Sequence, residues 1–224
     1  MKTKKLTFLL ALTFLFLFSC SEEKPKPEPK DDFQNAQDAY DRQDYKEAFR
    51  LILPIAQGGN AGAQGKLGYL YQEGQGVPKD YKEAVKWYRL AAEQGHAWAQ
   101  YNLGLMYSEG QGVPQDYQET VKWYRLAAEQ GLAKSQNNLG LMYINGQGVP
   151  QDHVLAHMWW NLAGSKGLKD SLQNRKQVET EMSPQQITQA QQLARNWKPK
   201  DRVKIAESPP PQPSIPQPPK KEGG

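Results

Sequence analysis

Apolar positions recur at helical spacing through the middle of the chain. Leu67, Leu70 and Tyr71 stand at i, i+3 and i+4, and the trio returns as Leu103, Met106 and Tyr107 and as Leu139, Met142 and Tyr143. That spacing marks one face of a helix. A second pattern follows each trio: Ala84, Trp87, Tyr88 and Ala91, then Thr120, Trp123, Tyr124 and Ala127, then Ala156, Trp159, Trp160 and Ala163. Between the two lies a polar, glycine-rich phrase, "GQGVPKD" from Gly74 and "GQGVPQD" from Gly110 and Gly146. All three features repeat every 36 residues. A fixed period of this length predicts stacked supersecondary units.

The residues between the patterns predict where each helix begins and ends. Asp80, Asp116 and Asp152 follow a proline by two residues and stand at N-cap positions, where a carboxylate accepts from free backbone N–H groups. Glu83 and Glu119 complete a D-x-x-E arrangement that predicts reciprocal capping in two units; Leu155 replaces the glutamate in the third. Gly95, Gly131 and Gly167 stop the second helices, being able to take positive φ. Gly68, Gly104 and Gly140 lie inside the first helices, where each costs about 1 kcal/mol against alanine. A cost repeated at one register predicts close packing there. Each unit is two antiparallel helices joined by a glycine loop, and stacking lets neighbours share the core that one hairpin cannot bury alone.

The stack is closed by atypical ends. Asp44, Tyr45 and Ala48 precede Asp80, Tyr81 and Ala84 by one period, so residues 32–60 form an opening hairpin with a first helix around Phe33 to Arg42 and a short loop. Pro54 falls inside the second helical pattern and predicts a kink or early stop. Residues 169–197 predict closing helices, the last starting with Ser183 as cap and Pro184 at the first helical position. The fold class expected is all-α, an α-solenoid.

The pattern A-x-x-x-L-G-x-x-Y-x-x-G-x-G-V-x-x-D, then W-Y and A-A-E-Q-G, resembles the Sel1-like repeat, a relative of the tetratricopeptide repeat, over 61–96, 97–132 and 133–168. The opening hairpin resembles a tetratricopeptide unit. The resemblance implies a scaffold or adaptor that binds proteins or peptides, in a family whose bacterial members are often exported. Certain cysteine-rich relatives are associated with β-lactam binding or hydrolysis; their paired cysteines are absent here. The resemblance also implies that first helices line a concave surface. On it the period stacks Lys66, Asn102 and Asn138, then Tyr69, Leu105 and Leu141, then Gln72, Ser108 and Ile144. These nine residues are the candidate partner-binding surface, although the asparagines before Leu-Gly also suit a structural role.

The chain termini change the setting. Lys2, Lys4 and Lys5 precede an apolar run from Leu6 to Phe18 and then Ser19 and Cys20, the layout of a secretion signal over residues 1–19. The run is shorter than the roughly 20 residues that cross a bilayer. Leu17, Ser19 and Cys20 resemble a lipobox, which implies lipidation at Cys20, the only cysteine of the chain. Residues 20–31 read as linker, and 198–224 as a proline-rich, disordered tail with P-x-x-P spacings at Pro210, Pro213 and Pro216. The formal charge is +4; the leader holds three lysines and no acid, so its removal leaves +1. Such a balance gives no basic stripe for nucleic acid.

Catalytic patterns are sparse. His153 and His157 lie four apart beside Asp152, a metal-like spacing, but they align with Tyr81 and Val85 of the first unit and lack a third ligand. The one S-x-x-K, Ser21 to Lys24, lies in the linker. The paired aromatics read as core rather than as a ligand platform. The expectation is a monomeric, lipid-anchored envelope scaffold, facing the periplasm from the outer membrane, with no catalytic residues, metal or cofactor. The rivals are an envelope hydrolase of β-lactam or peptidoglycan type, and a spacer touching the cell wall through its tail.

Overall fold

A computed structural model describes residues 32–200, which form ten α-helices and no strand. The leader, Cys20, the linker and residues 201–224 lie outside the described residues. The opening hairpin is α1 (Asp32–Asp41) and α2 (Tyr45–Gln57). The three repeats supply α3 (Ala61–Glu73) with α4 (Tyr81–Glu93), α5 (Ala97–Glu109) with α6 (Tyr117–Glu129), and α7 (Ala133–Asn145) with α8 (His153–Ser165). α9 (Lys169–Glu179) and α10 (Pro184–Asn196) close the stack. Each helix packs on its successor as far as α9, and α10 returns to α8. A second helix therefore lies between its own first helix and the next one, the layout of an α-solenoid.

Burial follows the predicted faces. Tyr88, Leu67, Leu103 and Leu139 are fully buried, and Trp87, Trp123, Tyr124, Trp159 and Trp160 nearly so, so the paired aromatics are core. The helical glycines permit this. A Cβ at Gly68 would stand 2.8 Å from the Tyr88 ring, at Gly104 2.6 Å from the Tyr124 ring, and at Gly140 2.5 Å from the Trp160 indole. The loop phrase has a second role. Gly76, Gly112 and Gly148 take φ near +70°, and a Cβ there would fall 2.0–2.3 Å from the carbonyl oxygen of Tyr45, Tyr81 and Tyr117 respectively. Each loop is thus seated on the first residue of the preceding unit's second helix.

Two local expectations change. The Asp80 carboxylate accepts from the backbone N–H of Lys82 and Glu83, and Asp116 does the same one period later. The reciprocal arm does not form: Glu83 turns to Lys86 at 3.1 Å, and Glu119 to Lys122 at 3.1 Å and the Trp123 indole at 2.9 Å. The reason lies in the loop, where the backbone N–H groups of Asp80, Asp116 and Asp152 already donate to the carbonyls of Tyr71, Tyr107 and Tyr143 at 2.9–3.0 Å. Nothing is left for the glutamate to satisfy, and Leu155 forfeits nothing by replacing it. A complete capping box forms instead between Ser183 and Gln186. Pro54 does not end α2, which runs on to Gln57. The proline sits in the last turn, where it removes only the bond to the carbonyl of exposed Arg50, and its own carbonyl accepts from Gly58 at 2.9 Å.

Candidate functional site

The units are stitched by buried amides that repeat with the period. The Gln64, Gln100 and Gln136 side chains donate to the carbonyls of Ala56, Ala92 and Ala128, at 3.0–3.1 Å, in the last turn of the preceding second helix. Their oxygens accept in turn from Gln94, at 2.6 Å to Gln64, and from Gln130, at 2.8 Å to Gln100. In the third unit Lys166 occupies the position of Gln94 and Gln130 and donates to the Gly131 carbonyl instead. The Gln136 oxygen is left buried without a partner.

The nine predicted surface residues divide by what they touch. Tyr88 donates its hydroxyl to Gln72 at 2.7 Å and also hydrogen-bonds Asn102 of the next first helix. One period on, Tyr124 bonds Ser108 and Asn138, and Asn138 also bonds Tyr101. Burial pushes the Tyr88 and Tyr124 hydroxyls up, Tyr124 to about 12, while the asparagine bonds pull the other way. Gln72, Asn102, Ser108 and Asn138 thus stand beside the buried tyrosine hydroxyls, a placement that suits a structural role for the asparagines. Leu105 and Ile144 pack half-buried against the third-repeat core, and Leu141 is exposed.

Lys66, Tyr69 and Asn102 come together with residues that sequence reasoning did not select. They line a cleft of about 480 Å³ on the first-helix face, shared with Phe33 and Tyr40 of α1 and with Trp98 of α5. Small residues form its floor: a Cβ at Gly65 would lie 3.9 Å from that of Ala99, so α3 and α5 approach closely there. The Lys66 ammonium sits 3.1 Å from the centre of the Tyr40 ring, a cation–π contact. Burial lowers its pKa, with Asp41 opposing that shift. Tyr40 and Tyr69 meet edge to face at 6.4 Å, as do Trp98 and Tyr101 at 5.9 Å. Trp98 is 48% exposed and carries Lys134 of α7 5.4 Å above its ring. The signal for Trp98 was available: positions 62, 98 and 134 share a register but hold Gly, Trp and Lys.

His153 and His157 face the end of α9 and the turn that follows it. His153 pairs with Glu181 at 3.3 Å, and fully buried His157 with Glu179 at 2.8 Å. Among the described residues no group of three His, Cys, Asp or Glu could hold a metal ion, and no helix is long and apolar enough to cross a membrane.

Helix hairpins locked in register, with an aromatic cleft on the first-helix face, define a tetratricopeptide-like α-solenoid. The family follows from comparison: residues 61–96, 99–132 and 133–168 match the Sel1 repeat, and the chain is a Sel1-repeat protein. It resembles the crystal structure of c5321, a protective antigen of uropathogenic Escherichia coli displaying an SLR fold, with 32% identity and a TM-score of 0.69 over 74% of this chain. It also resembles a Sel1 repeat protein from Oxalobacter formigenes, with 38% identity and a TM-score of 0.61 over 64% of this chain. The match spans 37% of the first protein's length and 57% of the second's. Nothing among curated proteins matches at a significant level. Sel1 repeats generally mediate protein–protein interaction on a scaffold that is typically non-catalytic.

Proposed function

We propose that this protein is a cell-envelope adaptor, held by lipid on Cys20, that receives an extended segment of a partner protein across its first helices. The observation that carries the reading is the cleft of about 480 Å³ between α1, α3 and α5. It offers aromatic faces from Tyr40, Tyr69 and Trp98, with the Lys66 ammonium and the Asn102 amide at hand. Aromatic side chains with polar tips supply most of the energy at such surfaces. The remaining rungs extend the same face over α5 and α7 through Leu105, Asn138 and Leu141.

A photo-crosslinking amino acid placed at Trp98 in intact cells captures a defined partner on this reading. The same probe at Lys122, exposed on a second helix, does not. Equal capture from both positions overturns the choice of face. The anchor is tested separately by labelling with a fatty-acid analogue and fractionating membranes: Cys20→Ala loses the label and releases the protein, and retention of both refutes lipidation. Separating inner from outer membranes tests the expected outer-membrane location.

A further inference from the structure

We infer that the first occupant of the cleft is the chain's own proline-rich tail, so that partners must displace it; this rests on the first-helix reading above. Three observations converge. Pro210, Pro213, Pro216 and Pro219 are spaced by three throughout. In polyproline II geometry, with three residues per turn and about 3.1 Å rise, they form one edge with a proline every roughly 9 Å. Three such steps span roughly 28 Å, long enough to run across the faces of α5, α3 and α1 that line the cleft. Aromatic-lined grooves are the surfaces that recognise this helix, because it enters already extended and loses little entropy on docking. Tyr40, Tyr69 and Trp98 provide such a lining, above the small residues Gly62, Gly65 and Ala99.

The tail also leaves the solenoid at the right end. Lys200 donates its backbone N–H to the Glu129 carbonyl at 2.8 Å, and its ammonium pairs with the Glu129 carboxylate at 2.9 Å. Gln130, the next residue, bonds Gln100 at 2.8 Å, two residues past Trp98, while Lys134 caps the Trp98 ring. The ten residues from Lys200 to Pro210 reach up to about 33 Å when extended, ample to place Pro210 on the α7 side. Running from there toward α1, the edge ends at Lys220 and Lys221, and α1 carries Asp32, Asp38 and Asp41 with no basic residue. Charge complementarity therefore fixes the direction. Tethering gives the tail an effective concentration in the millimolar range, so a weak contact suffices to fill the cleft.

The test uses the full chain in detergent and a fluorescent peptide of residues 205–221. A variant with Pro210, Pro213, Pro216 and Pro219 all replaced by serine binds the peptide at least tenfold more tightly than the wild type, whose own tail competes. Adding Trp98→Ala to that variant weakens binding at least tenfold with an unchanged far-ultraviolet circular dichroism spectrum. A photo-crosslinker at Ile215, in a mixture of heavy- and light-isotope chains, links to residues 61–109 of the same chain. Equal peptide affinity for wild type and serine variant, or crosslinks elsewhere, overturns the inference. Crosslinks between heavy and light chains replace it with a second copy as occupant. If the peptide fails to bind while the Trp98 probe still captures a partner in cells, the tail inference alone falls; failure of both removes the cleft reading too.

Discussion

The buried glutamine ladder makes an asymmetric prediction. Gln100→Met and Gln136→Met are the same substitution at the same register, and methionine keeps the unbranched shape while removing both polar atoms. Gln100 loses two bonds, one to Ala92 at 3.0 Å and one from Gln130 at 2.8 Å. The Ala92 carbonyl keeps the backbone N–H of Gly95 at 2.9 Å, so no orphan is created there. At a net 0.5–1.5 kcal/mol per bond, Gln100→Met costs about 2 kcal/mol. Gln136 loses one bond, to Ala128 at 3.1 Å, but the substitution also removes its unpartnered buried oxygen. Relief of an unsatisfied buried acceptor is worth about 1–3 kcal/mol, so Gln136→Met is neutral to stabilising. The two variants differ by at least about 2 kcal/mol, which is about 4–8 °C or more in Tm for a chain of this size. Thermal and urea unfolding followed by circular dichroism reads the difference. Equal destabilisation, or greater loss at Gln136, would refute the reasoning.

Other features yield further tests. Gly104→Ala gains about 1 kcal/mol of helix propensity but drives a Cβ to 2.6 Å from the buried Tyr124 ring, which costs up to about 3 kcal/mol; a net fall in Tm is expected. Asp116→Ala removes a cap in which Oδ1 accepts from two backbone N–H groups and costs about 1 kcal/mol. Glu83→Ala, whose carboxylate reaches only surface Lys86, changes stability by less than about 0.5 kcal/mol, and a loss equal to that at Asp116 would restore the reciprocal box. Burial is the largest cause that raises both Tyr40 and Tyr124 from 10.0 to about 12. The unfolded chain releases these protons near pH 10 while the folded chain holds them, so stability present below pH 10 is lost as pH rises toward 12. Tyrosinate absorbance at 295 nm against pH should show several delayed groups, Tyr40, Tyr88 and Tyr124 among them, and their release near pH 10 in the folded protein contradicts this assignment.

The architecture was open to sequence reading because each structural device recurs at one register. The Leu67 trio, the Asp80 caps, the Gly68 contacts and the Gly95 stops each appear three times, and recurrence separates a constraint from an accident. The ladder of Gln64, Gln100 and Gln136 recurs as faithfully but was not read, since glutamine gives no apolar signal and its burial becomes visible only when the helices are packed. Glu83 misled for a related reason. A D-x-x-E pattern cannot show that a carbonyl in the last turn of the preceding helix, here that of Tyr71, has already taken the N–H the glutamate was to satisfy. The cleft was legible only in part. Lys66, Tyr69 and Asn102 emerged from stacking the copies, but Phe33 and Tyr40 belong to the opening hairpin, outside the period. Trp98 gives no recurring signal, because its register holds glycine in one copy and lysine in another, and only that departure from the pattern marks it.

The seat of each loop on its predecessor, Gly112 against the carbonyl of Tyr81 and Gly148 against that of Tyr117, has an evolutionary consequence. A unit carries both halves of the fastening, a glycine for the neighbour behind it and a helix start for the neighbour ahead. A tandem duplication of 36 residues therefore inserts with both of its joints already complementary, and a deletion of the same length leaves two compatible edges. Single-residue insertions in the loop have no such licence, because they misplace the glycine against a fixed carbonyl. The repeat array can therefore change length only in whole steps, each adding one more first helix to the stack.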